Sequence, residues 1–249
     1  MYPYSALSWS GGKDSVWALY QLVLQGRVPQ RLITTVSKVE QRVTMHGVRR
    51  SLLEAQANAL GLPLQVVELS ASPSVQAYEP TMDGVYQELK AERFGTITFG
   101  DIFLEDLKHY REKTLSKHNL QAHFPLWGED SRVLLNNFID AGFKAIVVAV
   151  DGSKLDASFC GRLVDAAFVQ KLPAGVDPCG ENGEYHSFVF DGPLFRKPVS
   201  FSLGERVTKT YPAPKSGAAS LIHASPKTIP FHFIDLISNH DTGNAATNY

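Results

Sequence analysis

Cysteine is nearly absent from this chain: Cys160 and Cys179 are the two in 249 residues. They form no Cys-x-x-Cys, and no His/Cys cluster has zinc-site spacing, so the pattern points to reduced structural thiols rather than a disulfide scaffold or zinc module. Net charge is nearly absent too, at −1. That balance gives no general attraction to nucleic acid or to a membrane surface. No apolar run approaches the ~20 residues that a membrane-spanning helix needs. Met1-Tyr2-Pro3-Tyr4 lacks the charged and apolar regions of a secretory signal, and a cytoplasmic location is expected. Internal repeats and low-complexity blocks are missing as well. What is present, 44% hydrophobic and 20% charged residues, suits a core-forming chain of one large domain or two small ones.

The most informative stretch comes first. An apolar-leaning run, Tyr4 to Trp9, enters Ser10-Gly11-Gly12-Lys13-Asp14-Ser15. Val16, Leu19, Tyr20 and Val23 then recur at i, i+3, i+4 and i+7, the spacing of one helix face, and Gly26 stands where that helix should stop. Strand, glycine turn and helix follow within twenty-six residues. Two glycines allow close backbone approach and positive φ. Ser10 and Ser15 add hydroxyls, Lys13 adds a compact charge, and the helix N-terminus aims its unpaired N–H groups at the same spot. This is anion-binding equipment, although neither the G-x-x-x-x-G-K-[ST] nor the G-x-G-x-x-G spacing is present.

Alternation continues along the chain. Arg31 to Val36, Leu64 to Leu69 and Thr96 to Phe99 read as strands; a segment through Leu60, Met82 to Phe94 and Leu104 to Lys117 read as helices. A βαβαβαβα order predicts a parallel sheet with right-handed crossovers, an α/β class. Gly100-Asp101 falls at the carboxyl end of a strand, where ligands collect in such sheets. Asp101 there reads either as a hard oxygen donor for Mg²⁺ or as a helix cap. Arg49 and Arg50 sit in the first turn of a helix, against its dipole, and face either water or a bound anion. His46 just before them carries the same two readings. Arg111 reads as part of a solvated face. Phe124 to Gly128 resembles a hinge, giving expected units of 1–127 and 128–211. Helices at 131–141 and near 159–169 flank an apolar strand at 144–150. The stretch 212–249, rich in Ser, Pro, Ala, Asn and Thr, is expected to be loosely held.

A second loaded stretch runs from Asp177 to Phe190. Gly180 and Gly183 permit an unusual backbone path, while Glu181, Glu184 and His186 crowd titratable groups into six residues. An exposed acidic hairpin is the plain alternative. Phe188 and Phe190 suggest a strand that anchors the loop.

Ser10 to Ser15 after an N-terminal strand resembles the PP-loop of the ATP pyrophosphatase superfamily. Gly180-Glu181-Asn182-Gly183-Glu184-Tyr185-His186-Ser187-Phe188 with Asp191-Gly192-Pro193-Leu194-Phe195, and the segment Gln56 to Leu64, resemble the diphthine–ammonia ligase family within it. Gly100-Asp101 and Pro125-Leu126-Trp127 fit the same pattern, and the likeness spans most of Tyr4 to Pro198. His186 and Thr44-Met45-His46-Gly47 look more like the bacterial branch, whose substrate would be a carboxylate other than diphthine.

The resemblance implies a Rossmann-like, adenine nucleotide alpha hydrolase-like domain with a smaller C-terminal α/β domain. It implies ATP and Mg²⁺, and a reaction in which a carboxylate, protein-borne in the case of diphthine on elongation factor 2, is adenylated and then amidated by ammonia. Ser10, Gly11, Gly12, Lys13, Asp14 and Ser15 would bind the phosphates, with His46, Gly100 and Asp101 beside the nucleotide and Asp14 and Asp101 as metal donors. Lys13 would offset charge on the departing pyrophosphate; Glu181, Glu184 or His186 would act as base. Two other classes stay open: sulfur transfer to a transfer RNA base through Cys160 and Cys179, and a nucleotide-binding regulator without turnover. Oligomeric state, including a homo-oligomer, is not legible.

Overall fold

The computed structural model describes residues 4–43, 46–70, 75–212 and 228–239. Five parallel strands form the first sheet: β1 (Tyr4–Ser8), β2 (Arg31–Ser37), β3 (Leu64–Leu69), β4 (Phe94–Thr98) and β5 (Gln121–His123), in the order β3-β2-β1-β4-β5. β1 is central and wholly apolar at Ala6 and Leu7, both fully buried, as a strand covered on both faces must be. The connecting helices are α1 (Lys13–Leu24), α2 (Arg50–Leu60), α3 (Val75–Ala91) and α4 (Glu105–Ser116). Strand order reverses between β1 and β4. That reversal opens a crevice at their carboxyl ends, where the glycine turn and Gly100-Asp101 both lie.

A second sheet is antiparallel, in the order β7-β6-β9-β8. It comprises β6 (Lys144–Asp151), β7 (Tyr185–Asp191), β8 (Phe201–Pro212) and β9 (Thr228–Ser238), and α5 (Ser131–Asp140) precedes it. Asp130 caps α5 by accepting from the Arg132 and Val133 N–H groups, both at 2.9 Å. One apolar core joins the sheets: Trp17 of α1 meets Phe143 edge-on at 6.1 Å, and Phe143 stacks on Phe138 of α5 at 5.0 Å. β7 is therefore pressed against the start of α1, and the Val189 N–H donates to the Gly11 carbonyl at 2.9 Å.

Four expectations are corrected. α3 starts at Val75, before the reading that began at Met82, because Pro80 lies inside the helix and masks its continuity. The helix expected near 159–169 is a 3-10 turn at Ala157–Phe159 and a short α6 (Ala166–Lys171). Between them, Gly161 (φ 82°), Arg162 and Val164 spend their backbone groups on Val147 and Ala145 of β6, which a helix could not do. β5 was not expected at all; it is a three-residue edge strand. Finally, residues 228–238, within the stretch expected to be loose, form β9 between β6 and β8. Ile234 and Leu236 are buried there, so alternation rather than composition decided the outcome. The remaining positions of that stretch, 213–227 and 240–249, lie outside the described residues, as do Thr44 and Met45. Among the described residues, no helix is long and apolar enough to cross a membrane.

Candidate active site

Gly11 has φ +76°, and a Cβ there would stand 2.6 Å from Leu53 and 2.8 Å from the Gln56 amide oxygen. Glycine is required on both counts. Gln56, fully buried on α2, fixes the turn from below. Its Nε2 donates to the Gly11 carbonyl at 3.0 Å and the Val189 carbonyl at 2.6 Å, while its Oε1 accepts from the Trp9 indole at 2.8 Å. Gly12 is the N-cap of α1 and offers no side chain to it. Ser10 Oγ accepts from the Gly12 N–H at 3.2 Å, Ser15 Oγ donates to the Gly12 carbonyl at 2.9 Å, and the Lys13 N–H donates to Ser187 Oγ at 3.1 Å. Gly100 is tied to the same spot, because a Cβ there would stand 2.8 Å from the Asp14 carbonyl.

The uncapped end of α1 opens on a polar cavity of about 230 Å³, walled by the turn, by Gly100 and Asp101 and by Gly180, Glu181, Gly183 and Tyr185–Ser187. A second cavity of about 140 Å³ adjoins it over the ends of β1, β2 and β4, lined by Trp9, Ile33, Tyr78, Met82, Tyr86 and Phe99 among others. Ser8, Ser10, His46, Phe99 and Arg111 belong to both walls. The result is one cleft with an aromatic end and an anion-binding end.

Lys13 is buried, with its ammonium donating to the Cys179 carbonyl and to Asp14 Oδ2 at 3.0 Å. Burial opposes that charge, but Asp14, Tyr185 and Cys179 together outweigh it and hold the ammonium pKa above its ordinary value. Burial pushes the Asp14 carboxyl up, against the pull of Lys13. Its Oδ1 is buried without a hydrogen-bond partner. Glu181 faces both: Oε1 accepts from the Ile102 N–H at 2.8 Å, and burial, reinforced by Asp14 and Asp101, raises its carboxyl to about 7. The Asp177 carboxylate shapes this loop by accepting from the N–H groups of Cys179 (3.0 Å) and Glu181 (2.9 Å). His186 lies against His46, with ring centroids 4.2 Å apart and the planes tilted by 40°. Burial, with His46 and Lys13 acting in the same direction, keeps the His186 imidazole neutral.

Among the predicted site residues, Ser10, Gly12, Lys13, Asp14, Ser15, His46, Gly100, Asp101, Glu181 and His186 line the polar cavity. Gly11 supports it from behind, and Glu184 does not line it. Glu184 is buried and accepts from the Asn182 amide at 3.2 Å and the Asp177 N–H at 3.3 Å, with Lys154 at 3.6 Å. Asp101 caps nothing, since α4 begins after Leu104 without a side-chain cap. Arg111, expected on a solvated face, pairs with Asp101 instead: Nη2 donates to Oδ1 at 3.1 Å, and Nε stands 2.6 Å from Oδ2 as an ion-pair contact without hydrogen-bond geometry. Arg49 faces neither water alone nor the cleft; it pairs with Asp235 of β9 at 2.7 Å. Arg50 pairs with Glu54 at 2.7 Å and Glu68 at 3.2 Å. Sequence reasoning also missed Gln56 and Ser187. A glutamine among the apolar positions of α2 was the available signal, because a buried amide must be bonded. Both cysteines are free and buried; burial pushes the Cys160 thiol up to about 11 and the Cys179 thiol higher still.

Family models for the diphthamide synthase N-terminal domain and C-terminal domain match residues 4–121 and 130–211. A diphthine–ammonia ligase of Danio rerio is 30% identical over 220 residues, covering 80% of this chain and 86% of that protein. The Homo sapiens enzyme of the same name is 26% identical over 264 residues, 96% of each chain. The Bos taurus one is 29% identical over 223 residues, 80% of this chain and 83% of its own. A solved chain described as a "predicted subunit of tRNA methyltransferase" from Methanocaldococcus jannaschii aligns with 58% of this chain and 79% of its own, at 22% identity and a TM-score of 0.42.

Proposed function

Because the chain belongs to the diphthine–ammonia ligase family and is thereby a ligase of the PP-loop ATP pyrophosphatase type, we propose that it adenylates a protein-borne carboxylate and amidates it with ammonia. Diphthine, named for the relatives, is the first candidate acceptor; for a bacterial source another carboxylate takes its place. The reaction and its nucleotide supply belong to the cytoplasm. One observation carries this reading. The glycine turn and the 180–187 segment, far apart in sequence, wall the same cavity, so an anion-binding helix end faces a carboxyl group that titrates near neutrality.

The aromatic end of the cleft suits a purine and the Ser10–Ser15 turn suits phosphates. A carboxylate oxygen attacks the α-phosphorus, the bond to the bridging oxygen breaks, and pyrophosphate leaves. Lys13, held charged, offsets the negative charge that builds there. Ammonia then attacks the acyl carbon, AMP departs and a proton is released. Glu181 takes that proton, since a base poised near the working pH is the most effective. Glu184 does not line the cavity and His186 is held neutral with depressed basicity, so neither competes for that role.

Among the described residues no cluster of three or more acidic, His or Cys side chains is placed to hold a metal. Mg²⁺ commonly takes one or two carboxylates and fills its shell with phosphate oxygens and water. Asp14 and Asp101 each hold one buried oxygen without a hydrogen-bond partner and fit that role, Asp101 also pairing with Arg111. Such an ion would supply neutralisation of phosphate charge.

Sulfur transfer is disfavoured by two buried thiols whose raised pKa keeps them protonated and weakly nucleophilic. A regulator without turnover has no need of a carboxyl poised at about 7 against the phosphate site. The test is product analysis with ATP, Mg²⁺, ammonium and candidate carboxylates. AMP and pyrophosphate in equal amounts are expected; ADP and phosphate would overturn the reading.

A further inference from the structure

Among the described residues, Arg111 is the only lysine or arginine on the walls of both cavities. It projects from α4, most of which faces solvent, yet its guanidinium is held on two sides. It lies 4.2 Å from the Phe99 ring centroid and pairs with Asp101, to which Nη2 donates at 3.1 Å. A guanidinium set over a ring and hydrogen-bonded to a carboxylate is an oriented one. Nη2 makes the one hydrogen bond of this pair, which leaves the Nη1 hydrogens for another acceptor. A nucleotide with its purine in the aromatic cavity and its terminal phosphates at the glycine turn must pass its α-phosphate across the boundary between the two, where Arg111 stands.

We propose that Arg111 is a catalytic residue that binds the α-phosphate, the group that becomes attached to the carboxylate. It holds the phosphorus in line for attack, takes up charge on the non-bridging oxygens as the bond to pyrophosphate breaks, and keeps hold of the AMP moiety until ammonia displaces it. Asp101 acts through Arg111 as a positioning residue, fixing the plane of the guanidinium. This rests on the adenylation reading above.

The test compares AMP with adenosine, two ligands that differ by the α-phosphate alone, by calorimetry on the full chain without divalent metal. Wild type should bind both, AMP more tightly. Arg111→Ala and Arg111→Gln, the second keeping a stem over Phe99, should lose at least tenfold in AMP affinity while adenosine affinity holds within twofold. Each leaves the Asp101 carboxylate unpaired, so the double variant Arg111→Gln with Asp101→Asn removes that repulsion and should stay weak for AMP. Overturning results are equal losses for AMP and adenosine, unchanged AMP binding, or a double variant that recovers wild-type AMP affinity, which would make Arg111 a neutraliser of Asp101. Wild type that binds neither ligand would instead bring down the adenylation reading itself.

Discussion

Glu181 shows how a single residue acquires a role from its surroundings. A carboxyl with an ordinary pKa would be ionised well below neutrality; burial beside Asp14 and Asp101 raises this one to about 7. As the proposed base it would work only when ionised. At a fixed concentration of free ammonia, the amidation rate should therefore climb about tenfold per pH unit up to about 7 and level off above it. Glu181→Gln should lower turnover by roughly 10²-fold or more and flatten that profile, with AMP affinity retained. A steep profile surviving in Glu181→Gln would assign the base elsewhere. At this scale the sequence was legible where residue type alone specifies chemistry, as in the glycine turn and Gly180–Ser187. It was silent where a partner decides. Arg111 looks solvated until Asp101 and Phe99 are placed beside it, and Glu184 looks catalytic until its carboxylate is seen to tie its own loop.

Among the elements, β9 changes the picture most. It crosses the second sheet between β6 and β8 and places Asp235 against Arg42 and Arg49, both at 2.7 Å. Arg42 also donates to the Gly47 carbonyl at 2.7 Å, so β9 braces the turn that carries His46. Two cations near the start of α2, unfavourable for its dipole, are thereby answered by a carboxylate from the far end of the chain. Burial would raise the Asp235 pKa, but hydrogen bonds and charge from Arg49 and Arg42 outweigh it and bring it to about 2. A depressed folded-state pKa stabilises above the unfolded value and is lost as pH falls toward 2. The shift corresponds to roughly 2 kcal/mol at neutral pH. Asp235→Asn should lower urea stability by up to that amount at pH 7, with the gap to wild type shrinking below about pH 4. A gap unchanged down to pH 3 would contradict the account. None of this pairing is visible from periodicity, because it joins positions almost two hundred residues apart.

For the whole molecule, the alternation of strands and helices made the parallel sheet and its carboxyl-end crevice legible in advance. The second sheet was half legible: β6 and β7 announce themselves by apolar runs, whereas β9 sits in a stretch whose composition reads as loose. The two sheets share one core through Trp17, Phe138 and Phe143. That shared core presses β7 against α1 and brings Glu181 to the phosphate end of the cleft. This junction is the proposed ATP-adenylating site. The most direct measurement is a crystal structure with an ATP analogue that cannot be cleaved between its α and β phosphates. The purine is expected among Trp9, Tyr86 and Phe99, the β and γ phosphates on Ser10–Ser15, and the α-phosphorus at Arg111, open toward Glu181. A nucleotide bound elsewhere, or turned so that its γ-phosphate faces Glu181, would contradict that placement.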